Sequence, residues 1–207
     1  MAKKRKNRKK INLFPVVIIL LIIGGLLVAK YFDRISDMAK DFSPKNFTYP
    51  TKYEEYVIKY SNEFDIDPRF VYAIINTESH FDPDATSDVG ARGLMQLMKD
   101  AYDWVKFRLG DERVHSFADM YDPELNIEYG TYMLKFLYDR YDSYELAAAA
   151  YHGGMGAVDG WIEDGIVDPE NFRLEDVPSE VTANYIYKVS TAFEKYKEKI
   201  KEVSHNG

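Results

Sequence analysis

The sequence predicts an all-α domain set behind one N-terminal membrane helix. Three observations carry that expectation. An uncharged apolar run extends from Ile11 to Ala29. Helix-start signals recur downstream, as Asp67-Pro68, Asp122-Pro123 and Ser143. Strand-like alternation is scarce, apart from short pieces near the loop after residue 81.

The N-terminal region comes first. Of the 27 Lys and Arg residues, seven lie within residues 1–10, a basic tail without acids. The apolar run that follows is of the length needed to cross a hydrocarbon core of about 30 Å, with Lys30, Tyr31 and Arg34 marking its far edge. A membrane helix is expected over residues 11–31, retained rather than cleaved as a leader. The positive-inside rule places the tail in the cytoplasm and all that follows outside the cell. Residues 32–50 are polar, contain Pro44 and Pro50, and read as a juxtamembrane linker.

The exported part, expected over residues 51–203, reads as a succession of helices. Glu54 and Glu55 open one that ends near Phe64. Asp67-Pro68 starts a second through PRFVYAIINTESHF, and a loop, DPDATSDVGARG, follows. A third helix is expected over LMQLMKDAYDWVKFRLG, residues 94–110. A long one runs from Glu124 to Tyr141, and Ser143 caps SYELAAAAYHGG. After a glycine-rich stretch and VDGWIEDG, the last helix runs from near Ser179 to about Glu202.

Composition narrows the chemistry. With the basic tail set aside, 20 basic residues face 34 acidic ones, a balance unsuited to nucleic acid, which needs clustered Lys and Arg against phosphates. The chain has no Cys, which rules out disulfides, thiolate catalysis and thiolate metal sites. His80, His115, His152 and His205 lack zinc-motif spacing. Asp82, Asp84 and Asp88 are out of register with a calcium loop, so neither metal nor cofactor is expected.

One carboxylate stands out. Val71, Ile74, Ile75 and Glu78 share a helical face, so Glu78 turns toward the core at a helix C-terminus. Burial and the negative end of the helix dipole both favour its protonated form. An acid that keeps its proton near neutral pH suits the cleavage of a glycosidic bond. Around it in sequence lie Ser87, the turn glycines Gly90 and Gly93, Met95 and Gln96, then Tyr151-His152-Gly153-Gly154 and the late Tyr185.

Glu78-Ser79, Gly93-Leu94-Met95-Gln96, the Ala150-Tyr151-His152-Gly153-Gly154 stretch and Tyr185, in that order and spacing, resemble the soluble-type lytic transglycosylases, whose catalytic domain is goose-type lysozyme-like. The resemblance covers roughly residues 52–200. It implies peptidoglycan glycan strands as substrate and Glu78 as the only catalytic carboxylate. Ser87, Met95 and Gln96 would line the glycan groove. Tyr151 and Tyr185 would bring their hydroxyls to Glu78 from two sides, with His152 also in the substrate site. The chain departs from the family pattern at His152-Gly153, where Asn-Ala is usual, and at Val181, where many members carry Glu. A goose-type lysozyme-like hydrolase and a non-catalytic wall-binding module remain the alternatives.

Overall fold

The computed structural model describes residues 49–200. The expected basic tail, the membrane helix over residues 11–31 and nearly all of the linker lie outside the described residues, as does the expected end of the last helix near Glu202. Among the described residues, no helix is long and apolar enough to cross a membrane.

Among the described residues there are seven α-helices: α1 (Glu54–Phe64), α2 (Pro68–Glu78), α3 (Lys99–Leu109), α4 (Pro123–Tyr141), α5 (Tyr144–Gly153), α6 (Met155–Glu163) and α7 (Glu180–Lys199). Short 3₁₀ turns at Phe117–Tyr121 and Leu174–Asp176 were not expected from the sequence. The N-terminal caps form as their residue types dictate. Asp67, Asp122, Ser143 and Ser179 accept from the backbone N–H groups of Arg69, Leu125, Leu146 and Thr182 respectively. Each satisfies an N–H that has no partner within its helix.

The expected helix over residues 94–110 is corrected. It begins only at Lys99. Residues 86–97 instead form a folded loop held by two isolated antiparallel bridges, Thr86 with Arg92 and Arg92 with Leu97.

The main core is built by α2, α5 and α7, with α1 and α4 packed around them. Phe70, Ile74 and Ile75 of α2 are fully buried, and each contributes roughly 1.5–3 kcal/mol by leaving water. Ala147–Ala150 of α5 are buried as well; their small side chains let neighbouring backbones approach closely. A second, smaller core gathers Leu97, Tyr102, Val105, Met120, Leu125 and Tyr129 between α3, the first 3₁₀ turn and α4. Helix α4 therefore serves both cores. The loop after α3 is tied to it through Asp111, which accepts from Tyr129 at 2.8 Å and pairs with His115 at 2.9 Å. Arg113 adds a 2.8 Å ion pair to Glu128.

Candidate active site

Glu78 is the last residue of α2. Ser79 then ends the helix: its N–H donates to the Ile75 carbonyl, and its hydroxyl donates to the Leu94 carbonyl at 2.8 Å. That second bond ties the end of α2 to the Gly-Leu-Met-Gln turn. His80 and Phe81 follow with φ of 53° and 65°, left-handed values that bulky residues seldom adopt. Phe81 nonetheless buries its ring in the core, which offsets the backbone strain.

The loop after α2 lies next in the chain. Ser87 anchors its tip, accepting from the Ala91 N–H through Oγ at 3.0 Å. Gly93 has φ +74°, and a Cβ there would collide with the Met120 carbonyl and the Asn126 side chain. Only glycine fits both requirements. Gln96 is also left-handed, at φ 49°. Its Nε2 donates to the carbonyls of Ala85 at 3.1 Å and Gly93 at 2.9 Å. Both amide protons of Gln96 are thus spent inside the loop, and its Oε1 is the atom left to face a ligand.

Met95 is not where a groove-lining side chain would be. It is fully buried, with its sulfur packed on Gly130 of α4, a position where any Cβ would strike it. The apolar side chain joins the core because α4 offers it a glycine-sized recess. The backbone of Met95 does the connecting: its N–H donates to Asn126 Oδ1 at 2.8 Å, and its carbonyl accepts from the Tyr151 hydroxyl at 2.7 Å. Tyr151 was expected to bring its hydroxyl near Glu78. Its hydroxyl feels the Glu78 charge, but its hydrogen bond goes to the loop.

Asn126 was missed in the sequence. It is fully buried on α4, and besides holding Met95 it donates through Nδ2 to the carbonyls of Arg92 and Met120 at 3.0 and 2.8 Å. The available signal was an amide between Leu125 and Ile127, one helical turn before Gly130.

Tyr185 comes from α7. Its hydroxyl donates to Glu78 Oε1 at 2.6 Å, joining residues far apart in the chain. Burial pushes the Glu78 carboxyl up to about 7, while the bond from Tyr185 pulls the other way; no neighbouring charge contributes. The Tyr151 and Tyr185 hydroxyls are pushed well above the usual tyrosine value, chiefly by burial and further by the Glu78 charge. Both therefore remain donors. His152, at the end of α5, stacks on the Tyr185 ring with centroids 4.5 Å apart. Partial burial pushes its pKa below the usual histidine value. Val181 points largely into solvent in the first turn of α7. Among the described residues, no group of three or more His, Cys, Asp or Glu side chains is placed to hold a metal ion.

The arrangement offers a half-buried carboxylic acid with one oxygen held by a phenol, next to a rigid loop. Several known proteins are similar to this chain in sequence and fold. The soluble lytic murein transglycosylase of Salmonella typhimurium is 33% identical over 174 residues, covering 82% of this chain and 25% of that protein. The membrane-bound lytic murein transglycosylase C of Klebsiella pneumoniae is 31% identical over 169 residues, covering 72% of this chain and 47% of its own length. The chain thus spans a quarter of the first relative and just under half of the second. The crystal structure of the 70 kDa soluble lytic transglycosylase of Escherichia coli superposes with a TM-score of 0.70 at 27% identity, over 74% of this chain and 25% of that one, and the fold is all-α and lysozyme-like. The family model described as the transglycosylase SLT domain matches residues 55–165, more than half the chain. The chain belongs to the transglycosylase SLT domain family.

Proposed function

We propose that this chain is a lytic transglycosylase that cleaves the β-1,4 bond between N-acetylmuramic acid and N-acetylglucosamine in peptidoglycan, with Glu78 acting first as acid and then as base. The observation that carries this reading is the environment of Glu78. It is a carboxylic acid raised to about 7 by burial, with no other charge influencing it. Glycosidases that use water ordinarily pair two carboxylates; here a single one suits a reaction that needs no second.

The steps balance on that one group. Tyr185 donates to Oε1, which leaves Oε2 as the oxygen that carries the proton. Glu78 gives this proton to the glycosidic oxygen as the bond from C1 breaks. The 2-acetamido group of the muramoyl residue stabilises the positive charge that develops at C1. Glu78, now a carboxylate, takes the proton of the C6 hydroxyl of the same sugar. The C6 oxygen attacks C1 and closes a 1,6-anhydro ring, and no water is consumed. The Oε1 of Gln96 and the Ser87 turn would border the groove in which the glycan lies.

The reading also places the enzyme. Residues 11–31 would anchor it in the membrane with the basic tail in the cytoplasm, and the domain would work on the outer face, within a linker's reach of the bilayer. A relative named as membrane-bound supports the membrane association alone.

Product masses from purified peptidoglycan test the chemistry. Anhydromuramoyl ends are expected, and they should vanish in Glu78→Gln while glycan binding survives. Reducing ends alone would make the enzyme a hydrolase, and unchanged turnover in Glu78→Gln would remove Glu78 from the mechanism.

A further inference from the structure

The ring stack behind Tyr185 has no part in the chemistry set out above. His152 lies parallel to Tyr185, with centroids 4.5 Å apart and planes 25° from each other. This is an offset-stacking distance at which aromatic pairs attract. The imidazole is itself oriented, because its Nδ1 lies 3.4 Å from Thr182 Oγ1. Thr182 is buried and bound through the same oxygen to Ser179 Oγ at 3.0 Å, the cap of α7. A chain of contacts thus runs from the N-terminus of α7 through Thr182 and His152 to the face of Tyr185, and from its hydroxyl to Glu78.

The Tyr185 ring is buried in the main core and its hydroxyl is held by Glu78. The imidazole of His152 covers one face of that ring and so sets its tilt at the surface-facing side. We propose that His152 is a positioning residue that acts through Tyr185, its stacked ring fixing the phenol so that the hydroxyl stays on Oε1 of Glu78 and the proton on Oε2. The titratable groups around the stack are Tyr185 from α7, Glu78 from α2 and Tyr151 from α5. Burial alone shifts His152, with no contribution from Glu78, so the ring, rather than an ion pair, does the holding.

The inference rests on Glu78 being the acid–base group, and its test separates the two. The full chain is purified in mild detergent as wild type, His152→Ala, His152→Leu and His152→Phe. His152 stands at a helix end and is exposed on one side, so these changes leave the core intact, and melting curves verify this. The Glu78 carboxyl is titrated by ¹³C NMR without substrate, and kcat and KM are measured on peptidoglycan across pH.

Losing the stack weakens the bond from Tyr185, which favours the charged carboxylate. The Glu78 midpoint should therefore rise in His152→Ala and His152→Leu. Their kcat should fall by up to about tenfold, the share an aromatic pair can carry, with KM little changed. His152→Phe should restore both midpoint and kcat. A midpoint unmoved in His152→Ala overturns the inference. So does a change confined to KM, which would mean that the imidazole meets substrate directly, or a His152→Phe that behaves like His152→Ala. Because the titration needs no substrate, it still decides the matter if the turnover of Glu78→Gln shows the acid–base reading to be wrong.

Discussion

Tyr185 donates its hydroxyl to Oε1 of Glu78 across 2.6 Å, and this one bond works against the burial that raises the acid. Glu78 thus sits at a balance between two opposed effects. Tyr185→Phe removes the lowering contribution and keeps the ring. The Glu78 midpoint should move above 7, and the alkaline limb of kcat/KM should shift to higher pH with it. Turnover should fall by about tenfold or more, since a hydrogen bond to a charged group is lost. A pH profile of the purified variant checks both.

Burial of Glu78 also sets a pH dependence of stability. The folded carboxyl titrates near 7, above its unfolded value of 4.5, so between those values the native state binds the extra proton. The contribution is fully present below about 4.5 and is lost as pH rises through 7. Glu78→Gln cannot ionise and escapes that loss. It should melt a few degrees above wild type at pH 8, on the order of 2 kcal/mol, with a smaller difference at pH 4.5. Thermal melts at the two pH values are the measurement.

Two glycines in the loop should respond very differently to alanine. Gly90 has φ +88° but open space around its Cα, whereas Gly93 combines φ +74° with backbone and side-chain atoms already in the Cβ position. Gly90→Ala should cost about 1 kcal/mol for the backbone alone. Gly93→Ala should cost about 3 kcal/mol or more, because Met120 and Asn126 have to shift in a close-packed region. Urea denaturation separates the two.

Asn126 holds the loop with an acceptor and two donors. Asn126→Ala leaves the Met95 N–H and two carbonyls without partners and should destabilise by roughly 2–4 kcal/mol. Asn126→Asp nearly conserves shape but turns an acceptor toward two carbonyls, and it should be at least as damaging. Denaturation midpoints, with turnover measured alongside, report whether the loop and the site fail together.

Much of the fold was legible because its signals are local. Asp67-Pro68, Asp122-Pro123, Ser143 and Ser179 announce helix starts within four residues of chain, and each cap forms. The stretch from Leu94 to Met98 misled for the opposite reason. Its apolar spacing suits a helix, but its conformation is set by Asn126 and Tyr151, residues distant in the chain, together with the left-handed Gln96. The same distance hid the fate of Met95, whose recess exists only because Gly130 lies on another helix. Glu78 was visible through its own helix face. Its bond to Tyr185 was legible only through the family resemblance, since nothing in helical periodicity says where two helices meet.

The bond between the Met95 N–H and Asn126 has a consequence for motion on slow timescales. Loop amides usually trade their protons with solvent through small local openings. This amide has no such route, because freeing it means withdrawing a buried side chain of α4 from three partners at once. Its deuterium uptake should therefore be as slow as that of the innermost helical amides, making this loop part of the last unit of the domain to open.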